Sequence, residues 1–193
     1  GAVYVKGQFF KVQGEFSSNS AQYGGAIYVA EGAGVDVSFA KFETNKATSG
    51  SSIYLSEGSF VPNGLSFCNF EDNFDTNGAT VVIEADDVEI RYSNFTSNMG
   101  MTGSAIIWTG DNGKLTRSNF TENAVMGNGV IVFANGTNFI IDSCNFDNNV
   151  AKEGIIKLIG NSAKLIGVTV QNNRAQKGAI VLDGATISIE GSL

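Results

Sequence analysis

Phe16-Ser17-Ser18-Asn19-Ser20-Ala21-Gln22-Tyr23-Gly24-Gly25-Ala26-Ile27-Tyr28-Val29 holds the unit from which the chain is built. Its first half, Phe-x-x-Asn, returns at Phe42/Asn45, Phe70/Asn73, Phe95/Asn98, Phe120/Asn123 and Phe146/Asn149, with Val170/Asn173 as a further copy. Successive copies lie 24 to 28 residues apart. A near-constant period of this length identifies a repeat architecture before any secondary structure is assigned. Its second half is a small residue followed by an alternating apolar run. It returns as Ser51-Ser52-Ile53-Tyr54-Leu55, Gly103-Ser104-Ala105-Ile106-Ile107-Trp108 and Gly178-Ala179-Ile180-Val181-Leu182. Period two is the mark of a strand.

Between that strand and the next Phe lie two more short alternating pieces, as in Val88-Glu89-Ile90 and Ser93-Asn94-Phe95. Each unit therefore holds three strands. Helical periodicity is absent, and the period is too short for a strand, a crossover helix and a return strand, which need about 30 residues or more. The expected fold is all-β: a right-handed, single-stranded parallel β-helix with three short strands per coil. About eight such coils make residues 1–193 a single domain. Coils stacked at about 4.8 Å bring equivalent residues into columns along the axis.

The columns account for the residue types. Phe16, Phe42, Phe70, Phe95, Phe120 and Phe146 are expected to point inward and stack in offset ring contacts. Two residues earlier the chain reads Gly14, Ala40, Cys68, Ser93, Ser118, Cys144 and Val168, small groups suited to the space beside a ring. Cys68 and Cys144 fall in that column three coils apart, hence about 14 Å by the coil spacing, too far for a disulfide. They are expected as free, buried thiols. The Asn column stands where the chain must turn, and Asn suits it twice, by tolerating left-handed geometry and by bonding to its copy in the next coil.

The run Phe16 to Ile27, with its Phe-x-x-Asn and Gly-Gly-Ala-Ile halves, resembles the repeats of the polymorphic outer-membrane protein family. Those repeats occur in chlamydial autotransporter passengers, with similar ones in surface proteins of other microbes. The likeness covers essentially the whole chain, although a full Gly-Gly-Ala-Ile occurs once, with variants at Gly103-Ser104-Ala105-Ile106 and Lys177-Gly178-Ala179-Ile180. It implies a surface-displayed, extracellular β-helix used in adhesion or as envelope structure, with no catalytic or cofactor residues to carry over. The membrane barrel of the bacterial members has no counterpart in these residues.

Composition bears on the remaining classes. Charged residues make up 16%, against about 25% in an average soluble protein. The net charge is −7, and the 12 basic residues form no cluster, so nucleic acid and anionic membrane are not expected as partners. No apolar run is long enough to be a membrane-spanning helix. A carbohydrate-binding or carbohydrate-active β-helix is the alternative function, but fold alone is only analogy. Catalysis on a polysaccharide needs acids converging on one bond. The acids Glu31, Glu57, Glu84, Asp86, Asp87, Asp111 and Asp183 instead follow the repeat at the turn after the first strand, as a solvated edge does. Carboxylates on neighbouring coils leave weak calcium binding as a second reading of that edge. With no His, neither a histidine triad nor a histidine zinc site is expected, and the chain is read as a non-enzyme without cofactor or metal.

The working face is expected on the first strand. Its outward column is read as Tyr4, Tyr28, Tyr54, Val82, Ile107, Val132, Lys157 and Val181, apolar or aromatic over six successive coils. Large exposed apolar stripes mark interfaces, so a protein partner, a second copy or a host-cell ligand is expected there, with Tyr28 and Tyr54 as anchors. The outward column before the Phe stack reads Glu15, Lys41, Asn69, Asn94, Asn119, Asn145 and Thr169, a wet surface. Of three glycosylation sequons, those at Asn94 and Asn119 arise from the repeat itself, whereas Asn135 lies in a turn and is the better acceptor. Gly1-Ala2-Val3-Tyr4-Val5 is already strand, and Leu193 is expected in the Phe column. Neither end carries a polar cap, so the ends are expected to meet further coils of a longer array or a partner.

Overall fold

The computed structural model describes residues 1–191; Leu193, expected in the Phe column, lies outside them. The chain is a parallel β-solenoid of about eight turns, with no helix among the described residues. Every pairing is parallel, and it runs from each coil to the next in three sheets of eight, thirteen and seven strands. The first sheet is built from strands such as Val3–Val5, Ile27–Val29 and Ile53–Leu55. The second is composite. Phe10–Ser17 and Val35–Glu43 run through it unbroken, whereas later coils divide into pairs such as Glu89–Arg91 and Asn94–Thr96. Both strand pieces expected before the Phe therefore belong to one sheet. The third sheet comes from the residues just after the Asn, as in Lys46–Ser49 and Met99–Gly100. These pieces are too short to show a period in the sequence.

The interior follows from the columns. The Phe rings lie parallel, with centroids 5.1 Å apart for Phe16 and Phe42, 4.9 Å for Phe42 and Phe70, and 4.5 Å for Phe70 and Phe95. Phe120 and Phe146 extend the stack. All but the terminal Phe16 are fully buried. Opposite them the first sheet presents Ile27, Val29, Ile53, Leu55, Val81 and Ile83. Trp108 fits this narrow section because its register partner is Ala134 and Gly113 leaves room beside its ring. A Cβ on Gly113 would stand 2.6 Å from the indole and 2.7 Å from the Phe139 ring.

The asparagines form a continuous ladder. Asn73 donates both its backbone N–H, at 3.1 Å, and its Nδ2, at 2.9 Å, to Oδ1 of Asn98. Asn98 repeats this toward Asn123, and its Nδ2 also reaches back to the carbonyl of Phe70 at 2.9 Å. One buried amide thus ties three coils together, and the pattern runs from Asn19 to Asn173. The left-handed residue of this corner is not the Asn but the one before it. Ser18, Thr44, Asp72, Ser97, Glu122, Asn148 and Asn172 carry φ between 51° and 58°. The Asn keeps ordinary backbone geometry, and its side chain is what the corner requires.

Cys68 and Cys144 are free and buried in the small column. Burial pushes their thiols up, to about 11 and about 12, and each thiol bonds to backbone carbonyls.

Replacing Phe95 by Ala opens a hole between two rings that their own backbones hold in place. The expected loss is about 3–5 kcal/mol in a denaturant titration. A loss under about 1 kcal/mol, the range of surface changes, would contradict the inward stack.

Candidate interaction surface

The first sheet carries Tyr4, Tyr28, Tyr54, Val82, Ile107, Phe133, Lys157 and Val181 in one register column. Phe133 stands where Val132 was expected. Gly103 pairs with Val130 but Ile106 with Val132, so a bulge shifts the phase by one residue. Val132 is fully buried against Ile106, and Phe133 takes the outward place. The unbroken run Val130-Ile131-Val132-Phe133 gives no polar residue by which to fix the phase. Val82, though in the column, retains only 5% of its surface. The exposed stripe therefore has two parts: the tyrosines at one end, then Ile107 and Phe133.

The tyrosines are ordered by stacking. Tyr4 and Tyr28 lie parallel at 5.4 Å, Tyr28 and Tyr54 at 5.6 Å, and Tyr23 meets Tyr54 edge-on at 5.3 Å. Tyr54 Oη donates to Glu84 Oε1 at 2.6 Å. Partial burial, followed by that carboxylate, holds its hydroxyl far above the ordinary range of a phenol. Tyr4 is 64% exposed. Tyr4, Tyr23, Tyr28 and Gln22 line an open groove of about 370 Å³ at the corner between the first and third sheets.

A second aromatic row lies on the composite sheet, unforeseen in the sequence. Phe39, Phe67 and Tyr92 stack at 5.0 Å with ring planes 2° and 3° apart, exposed by 67%, 46% and 39%. Their φ values of 52°, 55° and 51° place three bulky side chains in the left-handed region. Such conformations cost about 1–3 kcal/mol each and call for an explanation. The pattern aromatic-x-x-Phe, in Phe39/Phe42, Phe67/Phe70 and Tyr92/Phe95, would have revealed the row. Beside it Asn119 donates to Asn94 and Asn94 to Asn69, an exposed amide ladder on the surface expected to be wet. On the third sheet and the turn after it, all three methionines, Met99, Met101 and Met126, are exposed on adjacent coils. Asn135 is exposed in its turn. Of the edge acids, Asp86 and Asp111 each accept a backbone N–H from the next coil, at 2.7 Å.

One acid departs from the apolar interior. Asp75 takes the inward place between Ala47 and Gly100 on the third sheet and is fully buried. Its Oδ1 accepts the backbone N–H of Asn77 and Gly78, while Oδ2 has no hydrogen-bond partner among the described residues. Burial pushes this carboxyl up to about 7, against the pull of those amides.

No protein-family model matches the chain, and no curated protein matches it either. The fold therefore defines the class, a parallel β-solenoid, and the surfaces carry the functional argument.

Asp75 makes stability depend on pH. The folded chain keeps this proton to about pH 7, whereas the unfolded chain releases it near the ordinary aspartate value of 3.8. Stability is fully present below the lower value. It falls as pH rises between the two, by about 1.4 kcal/mol per pH unit for one proton. Asp75→Asn is expected to flatten that slope and to be the more stable protein at pH 8. Denaturant titrations of both proteins at pH 5 and pH 8 measure it, and parallel pH profiles would contradict it.

Proposed function

We propose that this chain is an extracellular structural or adhesion module, a rigid scaffold that works by surface contact and carries no chemistry of its own. The observation that supports this most is the stacked tyrosine row, Tyr4, Tyr28 and Tyr54, presented on a frame whose coils are tied by a buried amide ladder. Tyrosine gives large contact area at low entropic cost, and rows held by their own backbone lose little freedom on binding. The resemblance of the repeats to those of polymorphic outer-membrane proteins points the same way. Under this reading the partner is a protein on a host or neighbouring cell, or a second copy of the chain, and it covers the row and the groove beside it. Ile107 and Phe133 form a lesser contact further along the same sheet.

Replacing Tyr4 and Tyr28 together by Ser tests the reading. Tyr4 is the more exposed of the two and neither side chain enters the core, so melting is expected to shift by only a few degrees. Attachment to cell monolayers and self-association in sedimentation velocity are expected to fall at least tenfold in whichever the wild type shows. Unchanged attachment and unchanged association would refute the role of this face.

A further inference from the structure

We propose that the aromatic corner of the composite sheet binds a neutral sugar ring, seated on the open face of Phe39. This site lies on a different sheet from the tyrosine row and does not depend on it.

The corner column reads Phe39, Phe67, Tyr92, Arg117, Ser143, Gly167 and Gly191, all with φ between 46° and 57°. Gly167 and Gly191 show what the backbone favours there. The corner before the asparagines, equally left-handed, carries only Ser, Thr, Asp, Glu or Asn. Three successive aromatics at this one corner therefore serve neither the turn nor the core, from which all three are exposed. What they form is a stack with two distinct ends. At one end the Arg117 guanidinium lies 5.4 Å from the centre of the Tyr92 ring and donates to the Tyr92 hydroxyl. At the other end the stack is open. The first coil is one residue short: only Gln13 lies between Val12 and Gly14, opposite Ser38 and Phe39. No corner residue of that coil pairs with Phe39, which is 67% exposed. The face of Phe39 turned away from Phe67 is thus a free platform about one coil deep.

The surroundings select the occupant. Gln13 Nε2 and Ser38 Oγ, 3.1 Å apart, stand on the short coil and beside the platform, with the amide ladder of Asn69, Asn94 and Asn119 along the stack. Charges next to the stack are paired, Lys41 with Glu43 and Glu71, and Arg91 with Glu89. On the strand Phe10–Ser17 of the short coil, Lys11 and Glu15 are of opposite sign. A sugar ring matches this set. Its C–H face packs on an aromatic ring, and its neighbouring hydroxyls pair with amides and hydroxyls that both donate and accept. A phosphate-bearing ring would meet an acidic chain without a free basic cluster.

The test is titration with cellohexaose, laminarihexaose and chitohexaose, followed by NMR of the isotope-labelled protein, with Phe39→Gly and Phe39→Trp beside the wild type. At least one hexasaccharide is expected to bind, with shifts centred on Gln13, Ser38 and Phe39. Phe39→Trp should keep that binding. Phe39→Gly, whose backbone suits the corner, should melt no lower than wild type and bind at least tenfold more weakly. Three outcomes overturn the proposal: no binding of any of the three sugars, binding that Phe39→Gly leaves unchanged, or a lower melting temperature of Phe39→Gly, which would make the ring structural. Attachment to protein-coated but not glycan-coated surfaces, lost in Phe39→Gly, would assign the corner to a protein partner and overturn it equally.

Discussion

A single buried amide, repeated once per coil, sets the terms for the rest of the molecule. Each interior Asn uses both hydrogens of Nδ2 and accepts two bonds at Oδ1, so no polar capacity is left over in a place water does not reach. Net, a hydrogen bond contributes only about 1 kcal/mol, but leaving such a group unpaired in the interior costs about 1–3 kcal/mol. The ladder therefore acts mainly by exclusion. A coil stacked out of register would leave the buried amide NH2 and C=O of this corner unmet and would move a Phe out of its stack three residues earlier. Register, once fixed there, carries around the coil to the first sheet.

Stacking turns every choice of residue into a column, and this has consequences outside the core. An exposed side chain is repeated about every 4.8 Å, so a weak preference becomes a row. The tyrosines of the first sheet, the aromatic corner of the second, the outer Asn ladder and the methionines of the third sheet are four such rows of different chemistry on one rod. Because the ladders hold the rows rigid, little entropy remains to be lost on contact. The left-handed corners add a further distinction. Where they hold Ser, Asp or Asn they satisfy the turn, and where they hold Phe39, Phe67 and Tyr92 they oppose it.

Much of this was legible in the sequence, because columns are what a repeat exposes. The Phe stack, the small column with its free thiols, the Asn ladder and the tyrosine row follow from spacing alone. What escaped did so for identifiable reasons. The third sheet has strands of two to four residues, below any detectable period. A bulge changes phase inside an unbroken apolar run, so spacing alone puts Val132 in the outward place that Phe133 takes. Asn tolerates left-handed geometry, but the ladder needs its side chain, and the positive φ falls on the residue before it. Asp75 carries no signal in the sequence, since burial of a lone carboxyl leaves no mark there. The aromatic corner is masked by the Phe-x-x-Asn repeat, because its residues stand three positions before the Phe of that repeat and are aromatic in only three coils.

The central claim is that the Asn corner fixes the coils, and native-state hydrogen exchange tests it most directly. The backbone N–H groups of Asn45, Asn73, Asn98 and Asn123 donate to side-chain oxygens of the next coil, not to a backbone ladder. If the amide ladder is the fastening, these four protons exchange only when the whole domain unfolds, with the same free energy as the most protected strand amides of the first sheet. Exchange at these four positions through local opening, orders of magnitude faster than in the strands, would contradict the account.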